Sequence, residues 1–197
     1  MRYFWSDTHF NHANILNYTE RPWSSLDDMN WILIENYNSV VASEDECFFI
    51  GDMCMGQIEQ TLPLLGELFG RKHLILGNHD RPFPTGKNLD RWFSKYNRYF
   101  ESIKLHDVIT IDDRPVVLNH FPYLASKRDA DRKIKYEQFY PVDDGEWLIH
   151  GHIHSSEWLS SERALHVGVD ADWSDFGVER YHPIPESAIV SAMNIVP

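Results

Sequence analysis

Five short apolar runs in this chain each stop abruptly at a polar cluster, and no other feature of the sequence restricts the fold as strongly. Arg2-Tyr3-Phe4-Trp5-Ser6 ends at Asp7-Thr8-His9. Cys47-Phe48-Phe49-Ile50 ends at Gly51-Asp52. His73-Leu74-Ile75-Leu76 ends at Gly77-Asn78-His79-Asp80. Pro115 to Leu118 ends at Asn119-His120, and Trp147-Leu148-Ile149-His150 ends at Gly151-His152-Ile153-His154. A short apolar run closed by glycine or polar residues reads as a buried strand whose tip opens into a loop. Open α/β sheets hold their ligands outside the carboxyl ends of their strands. If the five tips lie together, one cleft collects two Asp, one Asn and four His, with His79 and Asp80 beside them.

The connections favour α/β over all-β. Ser25 is a candidate N-cap, Asp27 and Asp28 suit a first helical turn, and an imperfect 3.6-residue stripe predicts a helix from about Leu26 to Val41. Ile58, Leu62, Leu65 and Phe69 suggest a second helix that begins or kinks near Pro63. Leu89 to Tyr96 reads as helical. Val108 to Ile111 and Pro115 to Leu118 form a predicted hairpin around Asp112-Asp113-Arg114. Leu165 to Val169 is a further strand, and Pro185 opens a C-terminal helix. Helices early and hairpins late predict one domain, residues 1–197, with mixed sheets.

Carboxylate, imidazole and amide oxygen suit borderline or hard divalent ions such as Mn, Fe, Zn, Ni or Co, with Mn preferred here. The absence of thiolate ligands argues against a structural zinc knot. Asp7, His9, Asp52, Asn78, His120, His152 and His154 are too many protein ligands for one ion that keeps an open position. Two ions sharing a carboxylate fit better, and such pairs clamp both oxygens of an in-line displacement. The glycines before Asp52, Asn78 and His152 would let the backbone turn sharply beside an ion.

The order D-x-H, G-D, G-N-H-D, H, G-H-x-H resembles the calcineurin-like metallophosphoesterase family, in particular its compact bacterial and phage members. The likeness runs from Asp7 to His154 and takes in the Asp-Thr-His-Phe-Asn-His-Ala-Asn-Ile opening and the late His-Val-Gly-Val-Asp stretch. It implies a four-layer α/β/β/α sandwich with the metal site at the strand C-terminal ends. It implies that Asp7, His9 and His154 hold one ion, that Asn78, His120 and His152 hold the other, and that Asp52 bridges them. His79 would act as proton donor near the leaving group, with Asp80 orienting it. The activity implied is hydrolysis of phosphate esters, diesters favoured over monoesters, by attack of a hydroxide formed at the metal pair. The alternatives are a catalytically silent metal-binding scaffold, which would need neither His79 nor Asp80, and a nuclease.

The formal charge of −12 argues against broad attraction to nucleic acid and favours a small phosphorylated substrate. No stretch approaches the length of a membrane span. The polar N-terminus does not read as a signal peptide, and two cysteines give no disulfide framework, so a cytoplasmic setting is expected. His12 is a candidate supporting residue for the cleft. His73, His106, His150, His166 and His182 read as structural. Arg81 is a candidate phosphate contact, and the basic run Lys127 to Lys135 reads as a solvated helix face or a rim that steers a phosphorylated substrate.

Overall fold

The computed structural model describes residues 1–124 and 135–196. Strands β1 (Arg2–Trp5), β2 (Glu46–Phe49), β3 (Arg71–Ile75) and β4 (Ser102–Lys104) run parallel. With the antiparallel β10 (Ile184–Pro185) they form one five-stranded sheet in the order β10-β1-β2-β3-β4. The second sheet has the order β5-β6-β7-β9-β8, built from β5 (His106–Ile111), β6 (Arg114–Asn119), β7 (Trp147–His150), β9 (Ala164–His166) and β8 (Leu159–Ser161). Its central β6, β7 and β9 are parallel and its edge pairs antiparallel. The chain is thus a mixed α/β protein with two mixed sheets, as the order of its elements predicts.

Alternation along the strands divides the core in two. Tyr3, Trp5, Cys47, Phe49, Leu74 and Leu76 face one apolar cluster, where Met29, Leu33 and Tyr37 of helix α2 (Leu26–Val40) meet them. Phe4, Phe48 and Ile75 point the opposite way, as the two-residue period of a strand requires, and pack with Val116, Leu118, Ile149 and Leu165 of the second sheet. The sheets therefore share a core. Each fully buried Leu, Ile or Phe there contributes about 1.5–3 kcal/mol relative to exposure.

Local chemistry explains most element ends. Ser25 Oγ accepts the N–H of Asp28 at 3.1 Å and caps α2, a contact typically worth about 1 kcal/mol. The second predicted helix does not survive as one piece. It is split into α3 (Ile58–Thr61), with α1 (Ile15–Tyr18) a short turn earlier in the chain, and a 3₁₀ segment, Leu62–Gly66, that carries Pro63 at its start. Proline removes the donor that an α-helix would need there. Helix α4 (Leu89–Tyr96) follows the prediction. The β5–β6 turn is tighter than predicted. Ile111 pairs with Arg114, and Asp112 and Asp113 both have positive φ, as a two-residue primed hairpin turn demands. Helix α5 (Glu186–Ile195) starts one residue later than read, with Pro185 as its N-cap, and joins the core between the sheets. Cys47 and Cys54 are buried and free. Among the described residues no helix is long and apolar enough to cross a membrane.

Candidate metal centre

The loops after β1, β2, β3, β6 and β7 converge where the two sheets meet. Ser6 bridges to Gly168, and Val169 donates to the Ser6 carbonyl at 3.0 Å, so the ends of the sheets are stitched together. Asp7 donates to the Gly51 carbonyl at 3.0 Å and His9 to the Asp52 carbonyl at 3.1 Å. From the second sheet, the His152 N–H donates to Asp7 Oδ2 at 3.0 Å, and His120 Nδ1 donates to the Ile50 carbonyl at 2.7 Å.

Two triads result. Asp7, His9 and His154 each bring one ligand atom within 4.8 Å of the others, and Asp52, His120 and His152 do the same. Asp52 Oδ2 faces both, lying 3.8 Å from His9 Nε2 and 3.3 Å from His120 Nε2. Asp7 Oδ1 lies 3.9 Å from both His9 Nε2 and His154 Nε2. Asn78 follows the glycine packed on Asp52, and its Oδ1 is buried without a partner.

The backbone here is unusual. Asp7, His9, Asp52, His152 and His154 all have positive φ, between 49° and 73°. Each such residue costs about 1–3 kcal/mol, and strain of this kind gathers at functional sites. The glycines serve close approach more than turning. A Cβ on Gly77 would stand 2.2 Å from Asp52 Oδ1, and one on Gly151 would stand 2.3 Å from Asp7 Oδ2. Of the three glycines predicted to turn, Gly51 has a positive φ, 90°, whereas Gly77 and Gly151 admit a neighbouring loop.

Burial would raise the Asp52 carboxyl, but His120, His9 and His79 outweigh it and hold it well below the usual range. At Asp7 burial pushes upward too, and His154, His120 and His9 overcome it. Burial drives His9 down to about 3 and His152 to about 4, against the pull of the carboxylates. Both rings are therefore neutral, the form in which imidazole ligates metal. Burial opposes charge on His120, yet Asp52 beside it pushes it up to about 9. A cation would take the place of that proton.

Asp7 Oδ1, His9 Nε2, His120 Nε2 and Asn78 Oδ1 are buried with no hydrogen-bond partner. Buried polar atoms are nearly always partnered, so these convergent atoms, with His120 Nε2 an acceptor once it gives up its proton, form a group that could hold a cation. The hydrogen bonds on the far sides of the rings agree. His120 Nδ1 is used by Ile50, and His154 Nδ1 donates to Asp170 at 2.9 Å, so each Nε2 faces inward. His152 Nε2 is held by the Tyr140 hydroxyl at 3.1 Å, which leaves Nδ1 as its inward nitrogen.

Over 182 residues the chain is 32% identical to the Gene 66 protein of Mycobacterium phage L5, spanning 86% of each protein. It belongs to the Gene 66 protein family. The Gene 66 protein of Mycobacterium phage D29 is 33% identical over 185 residues, spanning 88% of this chain and 89% of that protein. The uncharacterized protein MJ1445 of Methanocaldococcus jannaschii is 32% identical over 156 residues, spanning 78% of this chain and 69% of that one. No protein-family model matches. Among solved structures, the protein of unknown function AQ665 from Aquifex aeolicus superposes with a TM-score of 0.65 at 25% identity, over 98% of both chains.

In this Gene 66 family chain one predicted role needs correction. Asp80 does not orient the His79 ring. Its Oδ2 accepts the N–H groups of Asp52 at 3.0 Å and Gly77 at 2.9 Å, and its Oδ1 accepts that of Met53 at 3.3 Å. Burial, then the Asp52 charge, push it up to about 7. It is a loop tie. The His79 ring stands at the mouth, 45% exposed, with Nε2 4.0 Å from Asp52 Oδ2. His12, which the sequence leaves open between a place at the cleft and a helix cap, has its ring 5.2 Å from that of His9. His150 and His166 are buried and stacked on each other at 5.5 Å, in keeping with a structural role. All but the last residue of the basic run Lys127 to Lys135 lies outside the described residues.

Sequence reasoning missed Arg21 and Asp170. The buried Arg21 guanidinium donates to Asp170 at 2.9 Å and 3.1 Å, and to the carbonyls of Asp7 at 2.7 Å and Thr8 at 2.8 Å. Asp170 thereby fixes His154 while Arg21 braces the loop that carries Asp7. A signal existed, because the Leu165–Val169 run also ends in a carboxylate, Asp170.

Proposed function

We propose that this protein is a phosphoesterase dependent on two divalent metal ions, of the calcineurin-like metallophosphoesterase kind. One observation carries the reading: Asp52 Oδ2 faces both triads, within 3.8 Å of His9 Nε2 and 3.3 Å of His120 Nε2, amid buried atoms that lack partners. On this reading Asp7, His9 and His154 hold one ion, and Asn78, His120 and His152 the other, with Asp52 shared. The full frame would be the four-layer α/β/β/α sandwich, in which the two sheets and the helices over the first account for three layers.

Such ions, when bound, neutralise charge on phosphoryl oxygens and acidify water near neutral pH. Mn is the preferred pair. The chain's own residues supply the rest. Water oxygen bonds to phosphorus as the bond to the leaving oxygen breaks, and the leaving oxygen needs a proton. His79 is suited to deliver it. Its backbone N–H is pinned to Asp52 Oδ1 at 2.8 Å while its ring reaches solvent at the cleft. A positioned general acid contributes about 10²–10⁴ in rate. A purely structural metal site would have no use for an exposed imidazole there. The substrate class is a small phosphodiester.

The test is hydrolysis of bis(p-nitrophenyl) phosphate by protein loaded with Mn and analysed for metal. Turnover that chelation abolishes and Mn restores is expected. A metal-loaded protein inert toward diesters and monoesters alike would overturn the reading in favour of a scaffold.

A further inference from the structure

A cavity of about 730 Å³ opens beside the candidate metal centre, and Asn78, His79, Arg81, Lys87, Asn88 and Trp92 are among the residues that line it. That volume lies within the range of small-molecule sites. Met55, Ile58 and Phe83 add apolar surface to a lining that is otherwise mostly polar. Its rim is cationic in a chain whose formal charge is −12. Nearby Arg91 and Lys95 are engaged by Glu59. Arg81 and Lys87 differ. Both are exposed, and neither has a carboxylate partner among the described residues. The Arg81 guanidinium lies over the Trp92 ring, 5.6 Å from its centroid, which holds it at the rim. The Asn88 side chain makes no cap to α4, although that residue starts the helix with φ at 56°. An amide and two cations thus line a pocket of mixed polarity that His79 also lines.

We infer that this cavity receives the leaving group of the phosphodiester, and that this leaving group is an alcohol of nucleotide size carrying a second phosphate, which Arg81 and Lys87 bind. The inference rests on the proposed phosphoesterase reading for the direction of cleavage, but the binding subsite stands apart from it. His79 lies between the centre and the cavity, where a departing oxygen would need its proton. Met55, Ile58 and Phe83 take the organic part of the leaving group, and the rim takes its remaining charge. Guanidinium and ammonium together suit a phosphate dianion. The acidic remainder of the surface repels long polyanions, so the favoured source is a small molecule and not a nucleic-acid strand.

The test uses Mn-loaded protein and the dinucleotide thymidylyl-thymidine, either plain or carrying a terminal 5′- or 3′-phosphate. Wild type is expected to favour one phosphorylated form at least about tenfold in kcat/KM, mostly through KM. In Arg81→Ala/Lys87→Ala that preference ratio should fall to near one. A ratio near one in wild type, or one unchanged in the double variant, would overturn the subsite. Faster cleavage inside a long oligothymidylate than of the dinucleotide would overturn the small-molecule source. Calorimetry separates the subsite from the chemistry. Thymidine monophosphate should bind at least about tenfold more tightly than thymidine, and the double variant should lose the difference. If no diester is hydrolysed but that loss is seen, the phosphoesterase reading fails and the subsite stands. Equal binding of nucleotide and nucleoside by wild type would remove the subsite whatever the activity.

Discussion

Asp80 Oδ2 accepts the backbone N–H of Asp52 at 3.0 Å, so the carboxylate that closes the Gly-Asn-His-Asp motif holds the neighbouring loop in place. Three N–H groups, those of Asp52, Met53 and Gly77, depend on it. Leaving buried donors unsatisfied costs about 1–3 kcal/mol each. Asp80→Ala should therefore lower stability by about 3 kcal/mol or more in urea unfolding, with Asp80→Asn less severe. In a double-mutant cycle with His79→Ala, the effects on kcat should be additive. Strong coupling would restore Asp80 as the orienter of the imidazole.

Gly77 and Asp52 are in closer apposition than any side chain would permit. A methyl at Gly77 would stand 2.2 Å from Asp52 Oδ1 and 2.6 Å from the Asp52 nitrogen. Gly77→Ala should displace the shared carboxylate and reduce bound Mn below two equivalents, as measured by elemental analysis of dialysed protein. Full metal content in this variant would mean that the Asp52 loop yields more easily than its packing implies.

Asp170 couples His154 to Arg21, with its carboxylate 2.9 Å from each. Carboxylates behind ligating histidines are worth about 10–100-fold in metal affinity. Asp170→Asn should weaken Mn binding by that order while the protein stays folded. Both variants remove the counter-charge of the buried Arg21, and Asp170→Ala should lose the more stability, up to about 3–5 kcal/mol, because it also removes both side-chain oxygens that accept from the guanidinium. Competition with a chromogenic chelator measures the first effect, and thermal unfolding the second.

These contacts also show what is legible in the chain. The candidate ligands Asp7, His9, Asp52, Asn78, His120, His152 and His154 stand out in the sequence because each follows a local event, an apolar run that stops. Helix α2 was readable for a similar reason, since its cap and its stripe lie within one short segment. The Arg21–Asp170 brace spans 149 residues, and its one local trace is the carboxylate that ends the Leu165–Val169 run. Arg21, set between Glu20 and Pro22, looks like any turn arginine until the second sheet brings Asp170 to it. The left-handed backbone at five ligands was equally hidden, because Asp and His do not announce positive φ as glycine does. Asp80 departs from the role that the family resemblance implies because its three backbone partners are set by the meeting of two loops, which no local pattern reveals.

His79 is exposed enough that its removal should leave the fold intact. His79→Ala should keep its full Mn content and lose about 10²–10⁴ in kcat on diesters with poor alkyl leaving groups. The loss should shrink with p-nitrophenolate, which departs without a proton. Equal loss on both leaving groups would assign His79 to charge stabilisation.

On the proposed reading, Asp52 joins two metal ions into one centre. The most direct measurement is the electron paramagnetic resonance spectrum of Mn-loaded protein together with the metal count, for wild type and Asp52→Ala. Two Mn per chain with an exchange-coupled spectrum are expected in wild type, and loss of both the coupling and at least one ion in the variant. A single uncoupled Mn in wild type, or two tightly held ions in Asp52→Ala, would contradict the reading.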